Sequence, residues 1–315
     1  MTGGLAPAVT GGSDPTDWLP VLAPVVAAGC YLVAATRAAA APAGWSTSRI
    51  LAVVGGAVLL AVAFSPAVSA AAHHDPRWHM AQHLVVGMYA PLALVLAAPV
   101  TLTLRTLPVR ARRVAATGYR SRWLRLLGHP GTALLLDIGG LYLLYLTPLY
   151  AVTRHEPLAH AAVQAHLLAA GYLFAWSVVG PDPAPHRPGP GVRLVALFLA
   201  AGAHSVLAKL LYARAPHWPP GAGSDPAALR EAARLMYYGG DLAELLLAVV
   251  FFAAWYRRRP RRARPPQLRS RPRQLRGRPR QWRARFRPAE RASGQPCAGC
   301  STERRQPSFF FSKIS

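Results

Sequence analysis

The chain has 315 residues, of which 52% are hydrophobic and only 15% are charged, and its mean hydropathy is +0.21. This composition argues against a soluble globular domain and is typical of a membrane protein with several apolar helices. The net charge of +24 is uneven, because 19 of the 36 Lys and Arg residues lie in residues 257–315, which contain two acidic residues.

Seven apolar stretches of about 20 residues follow one another, the length that an α-helix needs to cross a bilayer. They predict an all-α, polytopic membrane protein with a seven-transmembrane-helix bundle over residues 18–256. The predicted spans are 18–38, 50–71, 78–98, 131–152, 158–179, 192–212 and 235–256. Residues 1–17 would precede this membrane domain, and residues 257–315 would follow it as a tail.

The basic residues predict the orientation, because Lys and Arg gather in cytoplasmic loops. The loop after the third span contains seven Arg residues, and the segments after the first, fifth and last spans are also basic. Residues 1–17 contain no Lys or Arg, which a cleaved signal peptide would need before its apolar core. We therefore expect a multi-pass protein of the cell membrane with its amino terminus outside and its carboxyl terminus in the cytoplasm.

The tail of residues 257–315 is rich in Arg and Pro and poor in apolar residues. Such a segment cannot bury a core, so we expect it to be disordered. Because it follows a membrane span directly, we expect it to contact anionic lipid headgroups. Nucleic-acid binding through its Arg runs is the alternative, but the tail predicts no specific nucleic-acid partner.

Metal-competent side chains occur in four of the predicted spans. In the third span, the spacing of His79 and His83 places both imidazoles on one face of a helix. Met80 and Met88 add thioether groups, which suit Cu(I). The later spans contribute His160, His166, His204, Lys209, Asp241 and Glu244.

The predicted orientation brings these side chains to one half of the bilayer. At 1.5 Å per residue, His79 and His83 lie within roughly 8 Å of the outer boundary, and Glu244 lies about 14 Å deep. On the inner half, only Asp137 is comparable. Ionisable groups inside a membrane are costly and usually functional. We therefore predict an outward-facing metal site, with copper as the candidate metal, formed by His79, His83, His160, His166, His204, Asp241 and Met80.

Other interpretations of the same residues stay open. A single intramembrane histidine often only hydrogen-bonds to a neighbouring helix. His83 paired with His166 or His204 could ligate haem, which would make the chain a membrane haem protein. Asp241 and Glu244, with Lys209, could serve a proton or metal transporter. No phosphate-binding Gly-rich loop, HEXXH motif or Ser nucleophile elbow occurs in the sequence, so we expect no enzymatic activity.

The order of motifs resembles the CtaG family of cytochrome c oxidase assembly proteins, the multi-spanning kind found in bacteria with caa-type oxidases. Residues 78–88, Trp-His-Met-Ala-Gln-His-Leu-Val-Val-Gly-Met, are similar to the family's histidine helix, and residues 104–108, Leu-Arg-Thr-Leu-Pro, to its exit. Further similar blocks are 90–92, 97–99, 129–130, 146–150, 160–166, 171–183 and 238–244. The resemblance runs from about residue 51 to 256. It implies a non-enzymatic role in maturing a haem–copper oxidase at a copper centre, with cytochrome c oxidase subunits as partners.

Overall fold

The computed structural model describes residues 18–42, 44–119, 121–184 and 187–258. Within these ranges every regular element is helical, which confirms the predicted all-α class. Residues 1–17 lie outside the described part of the chain. So does the predicted tail, except for its first two residues, which belong to the last helix.

The helices follow one another with short connections. Their bounds are α1 Leu19–Ala39, α2 Thr47–Ala63, α3 Pro66–His74, α4 Pro76–Leu84, α5 Ala90–Leu96, α6 Pro99–Thr106, α7 Val109–Tyr119, α8 Arg122–Leu127, α9 Pro130–Leu146, α10 Leu149–His155, α11 Pro157–Val179, α12 Pro190–Ala213 and α13 Pro226–Arg258. A π-helical turn, Val85–Tyr89, joins α4 to α5. Together these three segments form one continuous rod, Pro76–Leu96.

Among the described residues, five helices are long and apolar enough to cross a membrane: Leu19–Ala39, Pro76–Leu96, Pro157–Val179, Pro190–Ala213 and Pro226–Arg257. Two further pairs pass the same test only together, because α2 and α3 are bent by 53° and α9 and α10 by 78°. The protein is therefore a multi-pass membrane protein. The predicted number of seven spans requires each bent pair to count as one.

Proline explains both bends. Ser65 precedes Pro66 and has extended backbone angles (φ −61°, ψ 145°), and Thr147 precedes Pro148 with φ −118° and ψ 169°. A residue before proline is disfavoured in the helical region, because the proline ring would clash with it. The apolar runs 50–71 and 131–152 therefore do not form the single straight helices that we predicted.

The centre of the bundle depends on a close crossing between α11 and the π-helical turn. A Cβ atom added at Gly171 would fall onto the carbonyl oxygen of Gly87, so α11 has no room for a side chain at this position. Small residues allow this kind of approach between membrane helices. Around the crossing, α11 also packs against α9 and α5, and α13 packs against α12 and α4.

At the far end of the rod, Asp182 closes the connection to α6. Its carboxylate accepts hydrogen bonds from the Val100 amide (3.1 Å), the Thr101 amide (2.7 Å) and the Thr101 hydroxyl (2.5 Å). These amides belong to the first turn of α6, which has no partners for them within the helix. The 180–183 segment thus ties the end of α11 to the start of α6.

Substitution Gly171→Ala should destabilise the bundle, because its methyl group would meet backbone that cannot rotate away. Overpacking of this kind costs about 1–3 kcal/mol. We expect a clear fall in the thermal unfolding midpoint of the detergent-purified protein. The matched control is Gly202→Ala, where an added Cβ has no atom within 4 Å. Equal midpoints for the two variants would contradict the close crossing.

Candidate functional site

Three imidazoles from three helices meet at the amino-terminal end of the Pro76–Leu96 rod. The ring centroids of His73 and His160 are 5.1 Å apart, and those of His79 and His160 are 6.5 Å apart. His79 is buried, whereas His73 and His160 are partly exposed. We call these three residues the histidine cluster.

Neighbouring residues hold the histidine cluster in place. The Tyr150 ring packs edge-on against His79 with centroids 4.9 Å apart. Arg154 of α10 donates a hydrogen bond to the His73 carbonyl (3.1 Å) and further ones to the 222–224 segment. Asp75 caps α4 through the Arg77 amide, and hydrogen bonds from the Arg77 side chain lower the pKa of its carboxyl. The short helices α3 and α10 are thereby fixed over the end of the rod.

Met80 is buried beside the histidine cluster. Its sulfur accepts a long hydrogen bond from the Tyr145 hydroxyl (3.7 Å). It lines a cavity of about 20 Å³ together with His79, Tyr145 and Tyr150. A thioether therefore lines the same cavity as the imidazole of His79.

A second polar group lies deeper, in a cavity of about 30 Å³ between α4, α9, α12 and α13. We call it the buried cavity. His83, His204, Asp137, Glu244 and Met88 line it among apolar side chains. Such a space holds about two water molecules. The predicted orientation placed His83, His204 and Glu244 in the outer half of the bilayer and Asp137 in the inner half, whereas in the structure all four line one space.

The polar atoms of the buried cavity are poorly satisfied. His83 is 2% exposed and His204 is 0% exposed. Among the described residues, the ring nitrogens of both histidines have no hydrogen-bond partner. Oε1 of Glu244 has none among these residues either. The contact that comes nearest to a hydrogen bond is the one between His204 Nδ1 and Glu244 Oε1, which are 3.9 Å apart. Buried polar groups are normally paired, so an unpaired set of this size needs a physical explanation.

Glycine makes room for the His204 ring. A Cβ atom added at Gly240 would overlap this imidazole. This contact gives the Tyr-Gly-Gly-Asp part of the 238–244 block a structural role, since any side chain at Gly240 would displace His204 from the cavity.

Tyrosine rings lie between the histidine cluster and the buried cavity. From His79, the ring contacts run to Tyr150, then to Tyr145 at 5.8 Å and to His83 at a further 6.0 Å. Tyr145 is 1% exposed and fills the space between the two groups. His79 and His83, although one turn apart on the same helix, therefore face different surroundings.

The other predicted residues lie at the outside of the bundle. His166 is exposed, and its Nε2 is 3.1 Å from the Leu136 carbonyl oxygen of α9. Asp241 accepts a hydrogen bond from Ser205 (3.1 Å) and lines an open groove between α12 and α13. Lys209 lies over the Tyr237 ring at 5.2 Å, and none of the ion pairs among the described residues joins it to Asp241 or Glu244.

Within the described ranges, no group of three or more His, Cys, Asp or Glu side chains is placed to hold one metal ion. The seven residues predicted to form one metal site are instead distributed over three places. His79, His160 and Met80 lie at the histidine cluster, His83 and His204 at the buried cavity, and His166 and Asp241 at the outer faces. The prediction rested on position along each helix, and it did not give the direction in which each helix face points.

Two contributors were missed by the sequence argument. His73 was not among the residues predicted for the site, but it lies in α3 and contacts His160. Tyr150 was singled out only as part of a motif, although it packs on His79. The available signal was Pro66, which begins a new helix and carries His73 back toward the rod.

Comparison with known proteins places these features in a family. The sequence matches the family described as cytochrome c oxidase caa3 assembly factor (Caa3_CtaG) over residues 29–258. Uncharacterized proteins of Mycobacterium bovis and Mycobacterium tuberculosis are each 36% identical over 169 residues, which cover 51% of this chain and 25% of the relative. An uncharacterized protein of Mycobacterium leprae is 32% identical over 183 residues, covering 56% of this chain and 28% of the relative.

This chain spans about a quarter of the length of the curated relatives that it matches. No solved structure resembles it closely enough to count as a match. The family match, in contrast, includes the histidine cluster, the buried cavity and every helix that lines them. The chain therefore belongs to the Caa3_CtaG family of cytochrome c oxidase caa3 assembly factors.

Proposed function

We propose that the protein assists the assembly of a haem–copper cytochrome c oxidase by handling copper at the histidine cluster. The observation that carries the proposal is the convergence of His73, His79 and His160 from three helices, beside the thioether of Met80. Family membership supports the oxidase as the client, with its subunits as partners. The role is one of binding and transfer, without an enzymatic reaction.

The spacing of the rings suits an ion shared by two imidazoles. With metal–nitrogen bonds of about 2 Å, two rings on opposite sides of one ion have centroids about 6 Å apart. The His79 and His160 centroids are 6.5 Å apart. Cu(I) favours soft ligands such as thioether sulfur and also accepts imidazole, so Met80 and the histidines form a compatible donor set.

The exposure of the histidine cluster favours exchange of the ion. His79 is buried, but His73 and His160 remain partly exposed at the end of the rod. A structural metal site is closed by protein ligands, whereas a transfer site needs a side from which a partner can reach the ion. The cluster has such a side.

We also propose that the histidine cluster faces the outside of the cell. The rod Pro76–Leu96 begins at the cluster and leads at its other end into α6, α7 and α8, where the Arg-rich loop lies. Arg and Lys favour the cytoplasmic side, which puts the cluster opposite. The Arg-rich residues 259–315 lie beyond the described ranges, and their contact with anionic lipid stays a prediction.

The alternatives receive less support. A buried cavity of about 30 Å³ has room for about two water molecules, far less than a haem requires. His166, the other proposed haem ligand, points away from His83 to the Leu136 carbonyl. A transporter that uses Asp241 and Lys209 together would need them in contact, but Lys209 packs on Tyr237 instead.

The orientation can be tested with reporter fusions. An enzyme that is active only in the cytoplasm, fused after Tyr256, should be active, and the same enzyme fused before Met1 should be silent. The physical reason is the clustering of Arg at the ends that we assign to the inside. The reverse pattern of activity would contradict the orientation and, with it, the outward exposure of the cluster.

Deletion of the gene should lower oxidase activity and oxidase copper content several-fold, without lowering transcripts of the oxidase subunits. Added copper should restore part of the activity, because a high supply bypasses a delivery step. His79→Ala and His160→Ala should reproduce the deletion while the protein remains inserted. The control is His129→Ala, an exposed histidine at the start of α9, the end of that helix opposite to Tyr145. An oxidase with full activity and full copper content in the deletion strain would refute the proposal.

A further inference from the structure

The buried cavity has the properties of a second ligand site, separate from the histidine cluster. His83 and His204 come from different helices, α4 and α12, and both line the same space. Within the part of the chain that the structure describes, their four ring nitrogens have no hydrogen-bond partner. Lipid hydrocarbon offers no hydrogen-bond partner to such groups, so an unpaired imidazole there is costly.

From this arrangement we propose that the buried cavity binds Cu(I), with His83 and His204 as nitrogen ligands and Met88 as a thioether ligand. The inference rests on the proposed copper function and adds a second position for the ion inside the membrane. Tyr145 fills the space between this position and the histidine cluster, which makes them two sites.

Glu244 supports the assignment as a positioning residue. Its Oε1 faces His204 Nδ1 at 3.9 Å, and both atoms lack a closer partner among the described residues. Histidines that bind metals commonly direct their second ring nitrogen to a carboxylate, which fixes the tautomer and the ring. In this arrangement Nε2 of His204 is the donor atom left for the ion.

The donor set also selects the kind of cation. Structural zinc sites use four protein ligands, and no group of three His, Cys, Asp or Glu side chains in the described ranges is placed to supply them. Two imidazoles and one thioether suit Cu(I), which is stable with few soft or borderline ligands. Asp137 and Glu244 line the same cavity and can balance the positive charge of a bound ion.

The buried cavity is small, and its lining residues determine its shape. Gly240 leaves room for the His204 ring, and Leu141 and Leu167, which line the cavity, belong to the same hydrophobic core cluster as Tyr145. A space of about 30 Å³ accepts a bare ion but not a hydrated one with a complete water shell. The ion would therefore have to exchange its water for protein donors.

The test is a Cu(I) titration of the full-length, detergent-purified protein under reducing conditions, with a competing chelator. We expect two ions for the wild-type protein and one ion for His83→Ala and for His204→Ala. His79→Ala with His160→Ala should also leave one ion. The matched control is Leu141→Ala, which enlarges the same cavity without removing a donor and should still bind two. Glu244→Gln should weaken the second ion by about 10–100-fold, the usual effect of removing such a partner.

X-ray absorption spectroscopy provides a second measurement that does not depend on removing a histidine. In the His79→Ala, His160→Ala background, the remaining ion should show a sulfur ligand, and Met88→Leu should remove that signal. The Leu side chain nearly conserves volume, so this variant should fold. An unchanged spectrum in Met88→Leu would overturn the assignment of Met88 as a ligand and with it the proposed site.

The outcomes separate the two proposals. The second site would be overturned if the wild-type protein bound one ion, if His83→Ala and His204→Ala still bound it, and if His79→Ala did not. The histidine cluster would then remain as the copper site. An ion lost only in His83→Ala and His204→Ala would support the second site and overturn copper handling at the cluster. A wild-type protein that binds no Cu(I) would overturn both.

Discussion

The contact on which the site depends is the crossing of α11 over the π-helical turn, where Gly171 meets the carbonyl of Gly87. This crossing brings two membrane helices closer than side chains would allow. On one side of it, His160 of α11 comes beside His79 of α4, and on the other, α11 closes the buried cavity. A π-helical turn is rare and frequently occurs at functional sites, since it shifts the helix face that follows. Here the π-helical turn lies between α4, which carries His79 and His83, and α5.

Polar groups inside this bundle are costly because lipid hydrocarbon cannot form hydrogen bonds with them. In a soluble protein an unpaired histidine can be reached by water, but a membrane interior offers no such partner. Gln82 and Gln164 show the ordinary solution, because Gln164 donates to Gln82 (3.0 Å) and Gln82 donates to the Ala63 carbonyl (2.7 Å). His83, one residue after Gln82, has no such partner within the described part of the chain. The contrast between adjacent residues is what makes the buried cavity a candidate site.

Much of the fold could be predicted from apolar length alone. The five spans that are single apolar helices follow from apolar length and composition. The motif order also predicted the family correctly. The bends at Pro66 and Pro148 were missed, because an apolar run shows where a helix can form but not where two helices meet at an angle.

The arrangement of the site was harder to predict, since depth fixes only one of three coordinates. His160 and His166 are six residues apart on α11, so they point in different directions and only His160 reaches the histidine cluster. Which face of each helix turns inward depends on packing with helices that are distant in sequence. The contact of His73 with His160 likewise requires α3 to fold back after Pro66, and Pro66 marks the start of a new helix but not its direction.

Glu244 belongs to two surroundings at once. It lines the buried cavity beside His204, and it also lines the open groove between α12 and α13, where Phe198 and Leu245 are exposed on the apolar surface of the bundle. The Glu244 side chain thus lies between the buried cavity and the open groove on the surface of the bundle. A lipid chain or a neighbouring helix seated in the groove touches the same side chain that faces the imidazole. Among the described residues that line these two spaces, Glu244 is the one that they share, so an occupant of the groove would reach the His204 imidazole through a single side chain.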